Sequence, residues 1–174
     1  MLPEVQFRHQ QRQSLAMKVT PDGVVVLLPH GLNADSPQVR AFVQAGLRKL
    51  PEPQPVPPDE RLTRAEVRAL VADWSERIGV TVRRVQVRAM RRKWASCSSR
   101  GTLTLSADLL RLPRDLVEYV VCHELVHLRV PEHGKGWRAL MGAYLPDWRK
   151  RERRLAGWVM DRQREVHSSL KELG

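Results

Sequence analysis

The chain has 174 residues, and thirty Lys plus Arg against nineteen Asp plus Glu give a formal net charge of +11 at neutral pH. This length suffices for one domain with a proper core, or for a small domain with an extension. No stretch approaches the roughly eighteen uninterrupted apolar residues of a membrane span, and the N-terminal residues are too polar for a secretion signal. We therefore expect a cytoplasmic protein that has no membrane segment and keeps Cys97 and Cys122 as free thiols.

The N-terminal residues predict a β-hairpin followed by a helix. Residues 5–17 and 23–28 read as two short strands, and the Pro-Asp-Gly sequence between them favours a turn. Asp35 or Ser36 can then cap a helix that runs to about residue 50. Apolar residues recur along this helix at the spacing of a core-facing stripe.

A proline-rich stretch follows this part of the chain. Residues 51–58 read Pro-Glu-Pro-Gln-Pro-Val-Pro-Pro and hold five of the twelve prolines. Because proline has no amide hydrogen to donate, such a stretch favours an extended spacer over a helix or a central strand. We therefore predict a linker at 51–60 between an N-terminal hairpin-and-helix subdomain at 1–50 and the main domain at 61–174.

The main domain begins with a predicted helix. Thr63 is a suitable N-cap, and Glu66 three residues later completes a capping box. Apolar residues at helical spacing continue as far as Ile78, and Gly79 favours the end of the helix there.

The next segments predict a small antiparallel sheet. Residues 80–89 alternate apolar with polar and basic side chains, but the alternation slips at residues 83–84, where we expect a β-bulge. Residues 102–106 alternate in the same way and can pair back across a turn at residues 100–101. An edge strand of such a sheet, beside the next helix, can bind an extended peptide through main-chain hydrogen bonds.

Three of the six histidines, His123, His127 and His133, fall within eleven residues, the first two in a His-Glu-Leu-Val-His sequence. The first two are four residues apart, so on a helix they lie one turn apart on one face. Pro131 prevents this helix from continuing, so the third histidine can turn back toward the pair. Three imidazoles leave the fourth position of a tetrahedral Zn²⁺ open to water, which is typical of a catalytic site. Glu124 is placed to act as general base on that water.

The residues around this motif favour metal binding over a chance match. For a pattern this short, a helix with two ordinary histidines is the alternative. Residues 116–122 are mostly apolar, however, and predict a buried helix that begins near Pro113. A carboxylate and two histidines in such a helix are costly unless something binds them.

A second signal is the distribution of charge. Residues 61–100 hold eleven basic and three acidic side chains, so they carry +8 of the net charge. A basic surface of this density favours a polyanion such as DNA through phosphate neutralisation and counterion release. A solvated face that keeps the protein soluble is the alternative interpretation, and the sequence leaves both open.

Three stretches carry a family resemblance: KWASCSSRG at 93–101, LTLS at 103–106, and YVVCHELVHL at 119–128 with His133 after it. Together they resemble the YgjP-like family of small zinc metallopeptidases, which reads RWGSCS, then a short strand, then HELxH. The resemblance implies a minimal zincin fold in which the three histidines bind zinc and the motif's glutamate is the base. It also places the chain near the SprT-like and Wss1-like proteases of DNA–protein crosslinks.

The chain departs from the family's pattern in places. Ala95 replaces the usual glycine of RWGSCS. The family has Phe-Trp shortly after its third histidine, whereas this chain has Gly136-Trp137, so only Trp137 remains to cover that ligand. A metzincin is excluded because Val130 stands where that class needs a glycine for its turn, and Pro131 follows.

Other residues are candidates for supporting roles. Trp94, Ser96 and Cys97 form a packed turn, or else line the cleft with Cys97 as a regulatory thiolate. Arg138 and Tyr144 are candidates for stabilising an oxyanion. The basic C-terminal residues predict an amphipathic helix with a solvated outer face.

The fold prediction is α+β: a minimal zincin-like domain with a small antiparallel sheet, an HExxH helix and flanking helices, preceded by the N-terminal hairpin and helix. The predicted function is that of a zinc metallohydrolase, foremost a peptidase acting on proteins or peptides, including those associated with nucleic acid. Two alternatives stay open. One is a nucleotide pyrophosphohydrolase, and the other is a non-catalytic nucleic-acid-binding module that zinc stiffens.

Overall fold

The computed structural model describes residues 5–20, 23–54, 56–90 and 93–158. The chain divides into two compact units, one of residues 1–53 and 152–174 and the other of residues 54–151. Each unit contains strands and a helix or helices, so the fold is α+β as predicted. The domain boundaries drawn from the sequence stay a prediction, because compactness does not show which segments fold independently.

The N-terminal sheet has three strands, β1 (Gln6–Gln10), β2 (Ala16–Thr20) and β3 (Gly23–Pro29), in the order β1-β3-β2. β2 and β3 are antiparallel neighbours, which confirms the predicted hairpin. The prediction of a single strand over residues 5–17 was wrong, because β1 ends at Gln10 and pairs parallel to β3 on its other side. Pro21 and Asp22 of the predicted turn lie outside the described residues.

Helix α1 (Pro37–Leu47) packs on this sheet. The Ser36 hydroxyl oxygen caps the helix by accepting a hydrogen bond from the Val39 amide at 3.4 Å. The helix ends a few residues before the predicted position, because the chain turns after Leu47. One apolar core, worth roughly 1.5–3 kcal/mol for each fully buried side chain, joins helix and sheet through Val24, Val26, Leu28, Val39 and Val43.

In the unit of residues 54–151, helix α2 (Arg64–Ile78) begins and ends as predicted. The Glu66 amide donates to the Thr63 hydroxyl oxygen at 3.2 Å, and the Thr63 amide donates to the Glu66 carboxylate at 2.7 Å. The Thr63 amide and the Thr63 hydroxyl both donate to this carboxylate, and these two bonds lower the pKa of Glu66. Gly79 ends the helix with a φ of 72°, a left-handed conformation in which glycine has no Cβ to clash.

The second sheet consists of β4 (Arg84–Arg88), β5 (Ala95–Cys97) and β6 (Thr102–Ser106), in the order β4-β6-β5. β5 runs antiparallel to β6, but β4 runs parallel to it. The prediction of a wholly antiparallel sheet is therefore corrected for β4, which lies on the other side of β6 from β5. β4 is shorter than predicted. At its start the Arg83 and Arg84 amides both donate to the Gly101 carbonyl, at 2.8 and 3.3 Å, so two residues oppose one there, as in the bulge expected at this position.

Helix α3 (Arg114–His127) begins directly after Pro113 and is largely buried. Proline suits this position because the first amides of a helix have no partner inside the helix. The helix packs against α2 and β5. Arg129, just past its end, donates to the Ile78 carbonyl at 3.0 Å, which ties the C-terminal ends of α3 and α2 together.

Helix α4 (Lys135–Tyr144) follows the loop of residues 128–134 and packs on α3. Residues 148–158 are again helical, and the rest of the predicted C-terminal helix lies outside the described residues. Arg151 in this segment donates to the Asp115 carbonyl at 2.9 Å and to the Glu118 carboxylate at 3.2 Å, which fixes the first turns of α3. Among the helices described, none is long and apolar enough to cross a membrane.

Candidate metal centre

Three histidine side chains converge at the C-terminal end of α3. The Nε2 atoms of His123, His127 and His133 lie 3.1 Å apart in each of the three pairs. The first two come from consecutive turns of α3, and the third comes from the loop of residues 128–134. The structure therefore brings together the three histidines that the sequence spacing selected.

Hydrogen bonding within the trio cannot account for this arrangement. A neutral imidazole has one N–H and one lone pair, so three Nε2 atoms that face one another cannot all be satisfied. The Nδ1 of His127 donates to the Val130 carbonyl at 3.3 Å, which turns the lone pair of its Nε2 toward the centre of the trio. Lone pairs directed at one point favour a bound cation.

Burial and the neighbouring histidines lower the pKa values of two members of the trio, His123 and His133. His123 is only 4% exposed, and this burial, with the neighbouring His127 and His133, lowers the pKa of His123 well below its ordinary value of 6.5. Burial and His127 also lower the pKa of His133, the most exposed of the three. At neutral pH these two imidazoles are therefore unprotonated, which is the form that binds a metal.

The spacing of the nitrogens fits zinc. A tetrahedral Zn²⁺ with Zn–N distances of about 2.0–2.1 Å holds its ligands roughly 3.3 Å apart. The observed separations of 3.1 Å are close to that value. A three-histidine set with one remaining position is also the donor set of a catalytic zinc site.

Trp137 forms a wall against all three histidines. Its ring is stacked on His127, with centroids 5.7 Å apart, and lies 4.8 and 4.7 Å from the rings of His123 and His133. Trp148 packs edge-on against it at 5.4 Å, and Trp137 itself is 2% exposed. The prediction that this indole covers the third histidine is confirmed, and the contact extends to the other two.

Packing, rather than a hydrogen-bond acceptor, orients His123. Its Nδ1 and the Nε1 of Trp137 are buried and have no hydrogen-bond partner within the described part of the chain. Metal-binding histidines usually donate this second nitrogen to an acceptor. Here the rings of Tyr119, at 5.8 Å and edge-on, and Trp137 hold the imidazole instead.

Glu124 and Cys97 lie close to each other where β5 packs on α3. Burial and then the negative charge of Glu124 raise the pKa of the Cys97 thiol to about 11. Burial likewise raises the pKa of Cys122 to about 12. Both cysteines are free, as predicted, and both are protonated at neutral pH. This protonation favours the packed turn over a regulatory thiolate.

The other candidate residues are spread over several elements. Trp94 is 3% exposed, and its carbonyl accepts a hydrogen bond from the Ser106 amide at 2.7 Å, so it packs the turn rather than lining a cleft. Ser96 is exposed. Arg138 is exposed and Tyr144 is half-buried on α4, and their role in stabilising an oxyanion stays a prediction.

Sequence reasoning missed two supports of this site. The Val130 carbonyl accepts from His127, and a signal for it was available, since the residue before a proline leaves the helical conformation and frees its carbonyl. Arg151 contacts the start of α3 from more than thirty residues away in the chain, and no local pattern indicates such a partner.

Comparison with known proteins bears on the same region. A family profile described as YgjP-like, metallopeptidase domain, matches residues 59–157, which is more than half of the chain. Among curated proteins no significant match is found. The matched range contains α2, the β4-β6-β5 sheet, α3, α4 and all three histidines.

Two solved structures are similar to part of the chain. One is the metallopeptidase zymogen of Methanocaldococcus jannaschii jannalysin, with 20% identity and a TM-score of 0.46 over 49% of this chain and 89% of that one. The other is the metallopeptidase zymogen of Pyrococcus abyssi abylysin, with 23% identity and a TM-score of 0.47 over 55% of this chain and 92% of that one. With the profile covering more than half of its length, the chain belongs to the YgjP-like metallopeptidase family.

Proposed function

We propose that the chain is a zinc-dependent peptidase in which His123, His127 and His133 hold one Zn²⁺ and Glu124 is the general base. The observation that carries this proposal is the set of three Nε2 atoms 3.1 Å apart. A structural zinc site would need a fourth protein ligand. The metal-binding group found among the described residues contains these three histidines only, which supports an open, catalytic position.

The chemistry divides between the metal and the chain. When bound, zinc supplies Lewis acidity at the scissile carbonyl and lowers the pKa of water at the open position. Glu124 accepts the proton of that water and passes it to the leaving amine. Because Glu124 directly follows His123 on the buried helix α3, its backbone is held rigidly beside the ligands. Trp137 blocks one side of the trio, so substrate approaches from another.

We assign substrate binding to the free edge of β5, on the side away from β6. Trp94 and Ser98 make main-chain hydrogen bonds to the β6 side, so strand alternation turns the main-chain groups of Ala95 and Cys97 to the opposite edge. Ala95 is buried and Cys97 is half-buried, so the accessible part of this edge lies around Cys97. An extended peptide added there by main-chain hydrogen bonds would lie next to Glu124.

We extend the substrate class to proteins associated with nucleic acid. Residues 61–100 carry eleven basic and three acidic side chains. Such a charge excess concentrates the enzyme on phosphate chains and therefore on the proteins bound to them.

The test is cleavage of an unfolded basic protein by the zinc-loaded chain. Glu124→Gln is the control, because it removes the base but no ligand, so we expect unchanged zinc content and a rate lower by about 10²–10⁴-fold. Unchanged turnover in this variant would remove Glu124 from the mechanism. If wild-type protein with one bound zinc leaves the substrate intact, release of pyrophosphate from nucleoside triphosphates becomes the next measurement.

A further inference from the structure

One face of the β4-β6-β5 sheet is basic and open to solvent. Strand alternation and register place Leu103 and Leu105, both 0% exposed, on the face that packs on the helices. The opposite side, here called the outer face, carries Arg84, Gln86, Arg88, Ser96, Thr102, Thr104 and Ser106. On this face the two arginines and Ser96 are exposed, and Ser106 is buried. The other three side chains, Gln86, Thr102 and Thr104, are half-buried.

The charge of the outer face is not compensated within the sheet. Residues 77–107 contain eight basic residues and no Asp or Glu. The guanidinium of Arg84 lies 2.9 and 3.1 Å from the side-chain amide of Gln86, whose oxygen accepts in the orientation that satisfies both groups. This partner is neutral. Ion pairs elsewhere in the unit join Arg114 to Glu118, and Arg151 to Glu118 and Asp147.

The side chains of the outer face suit phosphate rather than bases. Arginine, glutamine, serine and threonine all donate hydrogen bonds to phosphate oxygens. Single-stranded nucleic acid is usually held by aromatic rings on which bases stack. The outer face has no aromatic residue, and the nearby Trp94 is 3% exposed.

The adjacent edge of the sheet is closed to strand addition. Arg64 of α2 donates to the Val87 carbonyl of β4 at 2.9 Å, which occupies a main-chain acceptor that another strand would need. The same contact places a further cation at the β4 edge of the sheet. A partner of β4 is therefore bound through the face and its charges, not through the edge.

We propose that the outer face binds the phosphate backbone of double-stranded nucleic acid without reading its sequence. This face lies on the side of the sheet opposite to α3 and the histidines, so the proposal stands apart from the peptidase function. If both hold, the enzyme is retained on nucleic acid while the metal centre stays accessible to a bound protein.

The experiment measures binding of the full-length chain to a fluorescent duplex of about twenty base pairs over a range of salt concentrations. Each neutralised phosphate contributes about 0.9 to the slope of log affinity against log salt. We expect Arg84→Ala with Arg88→Ala to reduce the magnitude of that slope by about 1.8. Lys150→Ala with Arg153→Ala removes the same charge from exposed positions of the 148–158 helix and is expected to leave the slope unchanged.

A third variant guards against misfolding of the double arginine variant. Gln86→Glu keeps the size of the side chain and places a carboxylate beside Arg84, so it should weaken duplex binding while zinc binding is retained. The proposal is overturned if the two double variants reduce the slope equally, if the duplex does not bind at low salt, or if Gln86→Glu binds the duplex as tightly as wild type does. Tighter binding of an oligothymidylate with equal phosphates, or binding only to phosphatidylserine vesicles, would also overturn it.

Discussion

The two segments that supply the histidines differ in how they are held. His123 and His127 lie on the buried helix α3, whose geometry sets their separation before any tertiary contact forms. His133 lies on the exposed loop of residues 128–134, where its position depends on the turn at Pro131 and on the ring of Trp137. Local helix geometry therefore places the first two histidines, whereas tertiary packing places the third.

The largest effect on zinc affinity should come from removing one histidine of each kind. His123→Ala and His133→Ala should each weaken zinc binding by more than about 100-fold. This loss exceeds the roughly 10–100-fold that is typical when only a residue supporting a metal ligand is changed. The two metal-free variants should differ in their free energy of unfolding. Removing the buried His123 ring leaves a cavity that should lower this free energy by about 2 kcal/mol or more. Removing the exposed His133 ring should change it by less than about 0.5 kcal/mol. Zinc titration measures the affinity, and urea unfolding measures the stability. Equal stability of the two variants would contradict the difference between a buried and an exposed histidine.

Trp137 is the next position to test, because it contacts both segments. Trp137→Ala should lower the free energy of unfolding by about 3–5 kcal/mol and weaken zinc binding by about 10–100-fold. Trp137→Phe keeps a ring against the histidines and should recover most of the zinc affinity. If the alanine variant binds zinc as tightly as wild type, the indole does not position the ligands.

Acid should destabilise the metal-free protein. The pKa values of His123 and His133 are lowered by folding from 6.5, so below that pH the unfolded chain binds protons that these two imidazoles resist in the folded protein. Stability should therefore fall as the pH drops below about 6.5. Urea midpoints at pH 7.5 and 5.5 measure this, and His133→Ala should show a smaller decrease. A midpoint that rises on acidification would refute the assignment.

The smallest effect concerns the thiol on β5. With a pKa of about 11, Cys97 should react with iodoacetamide at pH 7.5 far more slowly than free cysteine does. Glu124→Gln removes a charge that raises this pKa, so the variant should be alkylated faster. Cys122 is buried and serves as the internal reference. Equal alkylation rates in wild type and variant would show that the Glu124 carboxylate does not act on the Cys97 thiol.

Elements specified by nearby residues were predicted well. Helix α2 was placed from Thr63 and Glu66 at its start and Gly79 at its end, because caps and left-handed glycines act within one turn. The strands were predicted less well. β1 and β4 each pair in parallel with a strand reached by a crossover, and the alternation of side chains does not reveal which neighbour a strand will have.

The sequence by itself determined the chemistry of this protein, namely a pair of histidines and a glutamate on one helix, a third histidine after a helix-breaking proline, and a basic stretch without acidic residues. Only the tertiary structure decided that the third histidine meets the pair at 3.1 Å, that Trp137 packs against all three, and that Arg84 and Arg88 share an open face. The physical reason is distance along the chain. Spacing within a helix is set by backbone geometry, whereas loop position and strand neighbours are set by burial and pairing between residues far apart in sequence.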